Sequence, residues 1–197
     1  MIGSSPCARL HLVFTSLLAA LGLGTVGCEE TPAPPAQGGF DVALSDTGSE
    51  CPLSSHGNEV GDFSGDSPSL VTDGAENTTV DCTIRAASGG FTVQASIRGD
   101  AYLSLDIESI SNKQSEDTPA KGQLAYTATE TGGDTFASPT ETPCSFWVDS
   151  EAGQYIEAGK AFLSFRCDDV RNVQESCSMV GTFALANCAA EEQPVEE

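Results

Sequence analysis

The chain has 197 residues, with 29 Asp and Glu against 8 Lys and Arg, a formal net charge of −21 at pH 7. That balance excludes binding to nucleic acid, itself a dense polyanion, and adhesion to anionic lipid through a basic patch. Hydrophobic residues make up 39%, enough for about 140 residues of folded body to bury one core, so a single domain is expected.

Met1–Leu10 carries one basic residue, Arg9, and Leu10–Val26 (LHLVFTSLLAALGLGTV) is apolar. Small residues follow, then Cys28 and Glu29-Glu30. A charged start, an apolar middle and a small-residue cleavage site make a secretory signal peptide. As a retained membrane helix the run is at the short limit of length. It also contains His11 and leads into acids rather than Lys or Arg. Residues 1–27 are therefore expected to leave as a signal. Cleavage removes Arg9 and no acid, leaving 29 acidic and 7 basic residues, a formal charge of −22.

Gly24-Thr25-Val26-Gly27-Cys28 resembles the lipobox of bacterial lipoproteins, with Thr25 where that family usually carries Leu. The resemblance covers the first 28 residues. It implies that Cys28 is the lipidation site, carrying palmitate-type acyl chains. It also implies that the protein sits in a bacterial cell envelope, anchored to a membrane and facing the periplasm or the exterior.

Residues 28–49 read as the lipidated cysteine and a tether. TPAPPAQGG holds three prolines and two glycines without apolar periodicity, a composition that stays extended or disordered. Twenty-one flexible residues would have an r.m.s. reach of roughly 25 Å. Residues 50–188 read as the folded domain. Asp41–Asp73 is polar and turn-rich, and reads as a long loop or one more edge strand. From Thr79 onward the apolar period is two. Alternating sets fall at Val80–Ile84, Phe91–Ile97, Leu103–Ile107, Leu124–Ala128, Cys144–Val148, Ala161–Cys167 and Met179–Leu185. Gly, Ser, Asp and Pro clusters separate them. Alternation of this kind is the strand signal. About seven strands predict an all-β fold, a single antiparallel β-sandwich or jelly-roll-like domain with disulfides. Residues 189–197 (AAEEQPVEE) read as an acidic tail.

Eight cysteines are present. Cys7 leaves with the signal and Cys28 is taken by lipid. The remaining Cys51, Cys82, Cys144, Cys167, Cys177 and Cys188 are expected to form three disulfides, as an even set in an exported chain does. No C-x-x-C occurs and the mature chain has one histidine, so a zinc site is not expected. Cys177 and Cys188 lie about 36 Å apart along an unbroken strand and cannot pair. Cys167 can close a hairpin with Cys177 across the polar stretch DDVRNVQES, or oppose Cys144 in the register 148:163, 146:165, 144:167. The hairpin pairing is preferred here, with Cys188 reaching back to Cys51 or Cys82. The stretch GKAFLSFRC…C…GTFALANC resembles the C-terminal ends of other bacterial surface lipoproteins, which implies no activity.

Candidate chemistry is sparse. His56 beside Ser54 and Ser55 lacks a G-x-S-x-G elbow and reads as a solvated loop residue. Asp168-Asp169 reads as a solvated turn rather than a glycosidase pair. Hard cations take several loop oxygens, so Asp62, Asp66, Asp73 and Glu76, or Asp168 and Asp169, are the calcium candidates. No EF-hand or Gly/Asp-repeat motif accompanies them, and no metal or other cofactor is assigned. Trp147 falls on the outward parity of its strand. It reads as covered by a loop or layer, with a sugar- or partner-binding platform as the alternative. The expected function is a membrane-tethered, non-enzymatic structural or binding module, with an unidentified protein or carbohydrate partner. The alternatives are a hydrolase of envelope polymers and a calcium-dependent binder.

Overall fold

Alternation of apolar and polar residues is realised as strand almost throughout the body. In a computed structural model the described residues are 32–45, 51, 53, 56–65 and 67–190. They form twelve strands: β1 (Gln37–Ser45), β2 (Gly57–Val60), β3 (Val71–Thr72), β4 (Thr79–Ala87), β5 (Gly90–Arg98), β6 (Ala101–Ile110), β7 (Ala120–Ala128), β8 (Thr135–Ala137), β9 (Cys144–Trp147), β10 (Tyr155–Glu157), β11 (Lys160–Arg171) and β12 (Ser176–Ala186). All strand pairings are antiparallel. No helix among the described residues is long and apolar enough to cross a membrane.

The strands run in the order β2-β1-β12-β11-β8-β7-β6-β5-β4, with β9 joining β7 to β11. The sheet folds over on itself, so that the β4–β7 meander faces β11, β12 and β1 in a β-sandwich-like body. Phe40 of β1 meets Tyr126 of β7 edge-on, ring centroids 6.3 Å apart. Phe146, Phe165 and Phe183 form a second aromatic cluster in the same core. The class expected from the sequence is what forms, with more strands than seven.

Two expectations need correction. Gln37–Ser45, assigned to the tether and placed outside the 50–188 domain, is strand β1 between β2 and β12. Phe40, Val42 and Leu44 alternate into the core. The glycines that suggested a linker are close-packing positions. A Cβ on Gly38 would lie 3.0–3.1 Å from Ile97 and Val80 side-chain atoms, and one on Gly39 would lie 2.6 Å from the Val60 carbonyl. The compact unit starts at Ala33. At its other end Ala189 is not tail: it bridges Thr83 of β4, with Ala189 N–H donating to the Cys82 carbonyl at 3.0 Å.

The second correction is the pairing of Cys167 with Cys177. The bridges are Cys51–Cys177, Cys82–Cys188 and Cys144–Cys167. Asp168–Arg171, read as loop, continues β11 through a β-bulge that shifts the register between Cys167 and Val170. One extra residue moves the buried parity from Cys167 to Val170 and places Cys167 opposite Met179, with Cys177 opposite Val170. Cys167 therefore meets Cys144, because β9 pairs with β11 in the register Phe146–Phe165. Cys188 bonds Cys82, one of its two expected partners.

Candidate functional site

The outward face of β1, β12 and β11 carries a cleft of about 600 Å³ lined by side chains from five segments. Asp41 comes from β1 and Thr182 stands directly opposite it on β12. Phe162 comes from the outward parity of β11, between buried Ala161 and Leu163. The turn after β2 brings Phe63. There Gly61 has φ of +95°, which favours glycine. Asp62 and Ser69 then exchange backbone hydrogen bonds at 2.8 and 3.0 Å, folding the loop over β1. Phe63 and Phe162 pack at 6.3 Å between centroids with their planes at 59°. Gly39 leaves the space for the Phe63 ring, which a Cβ there would meet at 3.1 Å.

Residues 149–154 form the opposite wall. Gly153, at φ +71°, turns the chain, and the Gln154 amide donates to the Asp149 carbonyl at 3.0 Å. Gln154 is buried and both ends of its side chain are used. Nε2 donates to Ser164 Oγ at 2.7 Å, and Oε1 accepts from the Asp149 amide at 2.9 Å. That locks the loop to β11 and sets Glu151 on the rim.

The charge in the cleft is of one sign. Among the described residues no Lys or Arg lines it. Asp41 stands opposite Glu59 of β2 in the ladder, a like-charge arrangement that destabilises a strand pair. Partial burial, and then the Glu59 charge, push the Asp41 carboxyl above the usual carboxylate range. None of the ion pairs among the described residues involves Asp41 or Glu59. The polar groups on offer are therefore mostly hydrogen-bond acceptors, beside two aromatic faces.

The residues singled out in the sequence lie elsewhere. Cys28, Ser54, Ser55 and Asp66 fall outside the described residues. His56 is half-buried and its Nε2 lies 2.7 Å from the hydroxyl of Tyr126, which is fully buried. It closes one end of the core rather than standing solvated in a loop. Trp147 is half-buried beneath Arg166, whose guanidinium carbon is 5.7 Å from the ring centroid. It lies opposite Ser164, next to the cleft but not lining it.

Asp168 and Asp169 occupy the β11 bulge rather than a loop turn. Asp169 accepts from Arg171 Nε at 2.9 Å and Ser176 Oγ at 2.8 Å. Asp62 accepts from the Ser64 amide and hydroxyl at 2.9 and 2.6 Å, and Asp73 from the Val80 amide at 2.9 Å. Donors thus occupy three of the candidate calcium carboxylates. Among the described residues no three His, Cys, Asp or Glu side chains are grouped to hold a metal ion.

Sequence reasoning missed Asp41, Phe63, Glu151 and Phe162. Phe162 carried a readable signal, an aromatic on the solvent parity of a strand. Asp41 was hidden by its assignment to the tether. Comparison of the chain with protein-family models, curated proteins and solved structures gives no match.

Proposed function

We propose that this protein is a lipid-anchored, non-enzymatic binding module of a bacterial cell envelope, holding its ligand in the cleft of Asp41, Phe63, Glu151 and Phe162. The cleft carries the binding part of this reading. Five separate segments converge on it, two aromatic rings are left partly exposed there, and its acids have no basic partner among the described lining residues. The anchoring part rests on Gly27-Cys28 after the apolar run. Three disulfides agree with an oxidising compartment. Two acyl chains make a stable anchor where one is marginal. Cys28→Ser should move the protein from the membrane fraction to the soluble fraction, with loss of the lipid mass in whole-protein mass spectrometry. A variant that still sediments with membranes and carries no lipid contradicts the anchor.

One observation favours hydrolysis of an envelope polysaccharide as a second reading. Two carboxylates, Asp41 and Glu151, line one cleft, and a pair of carboxylates flanking the scissile bond is how glycosidases place their acid and base. Release of reducing ends from cell-wall polysaccharide by the full chain, abolished in Asp41→Asn, would put the enzyme in place of the binder.

A further inference from the structure

We infer that the cleft takes an ammonium group on an aliphatic stem, as in a free alkyl diamine or a lysine side chain; this deepens the binding-module reading and rests on it. The two kinds of lining group call for the two parts of such a ligand. Phe63 and Phe162 offer aromatic edges and faces at 6.3 Å spacing, against which an alkyl stem packs and toward which an organic cation is drawn. Asp41 and Glu151 are acceptors, and Glu59 lies beside Asp41 across the ladder. The amide of Gln154 is already spent on Ser164 and Asp149. Among the described residues Thr182 is the one lining side chain left that can donate. A sugar brings hydroxyls that both give and take hydrogen bonds and would find few donors here. An ammonium group brings three donors and no acceptor. A hard divalent ion wants six or more oxygens, and much of this wall is aromatic ring and glycine. A bound ammonium would also relieve the repulsion between Asp41 and Glu59.

The test is a titration of the full chain, held in neutral detergent, followed by amide chemical shifts in two-dimensional NMR. The probes are cadaverine, Nα-acetyl-lysine methylamide and 1,5-pentanediol, the last matching the diamine stem without charge. Cadaverine or the lysine derivative should give saturable shifts at Asp41, Glu59, Phe63, Glu151–Gln154 and Phe162, and the diol none. Comparable binding of both amines assigns the site to the ammonium on its stem, and binding of one alone assigns the source. Asp41→Asn should weaken amine binding roughly tenfold, and Phe162→Leu by several-fold. Asp81→Asn, on the outward face of β4, should leave it unchanged. Amide dispersion in the same spectra reports whether each variant is folded. The inference is overturned if neither amine gives saturable cleft shifts with affinity better than about 10 mM, if the diol binds equally, or if Asp41→Asn binds as wild type. Diol binding at the cleft would remove the ammonium and keep the module. The anchor is tested apart from all of these, by partition of Cys28→Ser.

Discussion

His56 and Tyr126 share one hydrogen bond, but their two truncations are not equivalent. The Tyr126 hydroxyl lies in a side chain with no exposed surface, while His56 is half-buried. His56→Ala strands a buried donor and acceptor, at about 1–3 kcal/mol. Tyr126→Phe removes the buried group and leaves a histidine that water can reach, at about 0.5–1.5 kcal/mol. Urea denaturation should therefore rank His56→Ala as the less stable variant, and the reverse order would mean that water already satisfies Tyr126. Burial, and secondarily the charge of Glu130, drives the Tyr126 hydroxyl well above its ordinary range, so it stays protonated. Asp169 shows the opposite shift. Hydrogen bonding from Arg171 first, with help from Ser176, Arg171's charge and Thr142, holds its carboxyl below the ordinary range. A depressed carboxylate adds stability above its unfolded pKa and loses it as pH falls through the folded one. Wild type should thus be more stable than Asp169→Asn at neutral pH, with the gap closing below about pH 4. A gap that holds constant into acid would show that the bulge does not depend on the Asp169 charge.

Among the elements, the bridges differ in what remains if they are opened. Cys144–Cys167 joins strands that are already laddered, across a separation of 23 residues. Cys82–Cys188 spans 106 residues and fastens the chain beyond β12 to the edge of β4. There Ala189 otherwise holds by two backbone hydrogen bonds, at 2.9 and 3.0 Å. Loop entropy assigns about 3.4 kcal/mol to the first and about 4.8 kcal/mol to the second, before allowing for nesting. The Cys82→Ala/Cys188→Ala pair should therefore lose more stability in urea than the Cys144→Ala/Cys167→Ala pair. Equal losses would mean that the edge of β4 closes without its staple. These elements also mark how far the sequence could be read. Strict alternation made β4 through β7, β9, β11 and β12 legible, and the 144:167 register followed from it. Alternation at Phe40, Val42 and Leu44 was there too, but Gly38 and Gly39 beside a Pro-rich run carried the signature of a linker. Their actual role is to leave out a side chain where a Cβ would come within 3.0 Å of Ile97 or 2.6 Å of the Val60 carbonyl, which composition does not report. The bulge at Cys167–Val170 broke the parity and made strand look like loop. The cleft was less legible, since its lining comes from three strands and two loops that are distant in sequence.

At the scale of the molecule the dominant fact is its formal net charge, −21 at pH 7. Self-repulsion of this size destabilises a compact state, and dissolved ions screen it over about 8 Å at physiological strength. Salt should raise the melting temperature, and calcium or magnesium should do no more than sodium chloride at matched ionic strength. A dedicated site of about 0.1 mM affinity would instead add about 2.7 kcal/mol at about 10 mM calcium. A shift unique to calcium, lost in Asp62→Asn, would assign a metal site to the turn after β2. With Cys28 acylated as proposed, Gln37 follows it by only nine residues, which even fully stretched span about 30 Å. Asp41 lies about 13 Å further along the strand. The cleft is then confined to a shallow layer next to the bilayer, as on a short mooring line. Partners free in the distant medium would have to come to that layer. Those embedded in the same membrane, or in the polymer lying directly on it, would already be within reach.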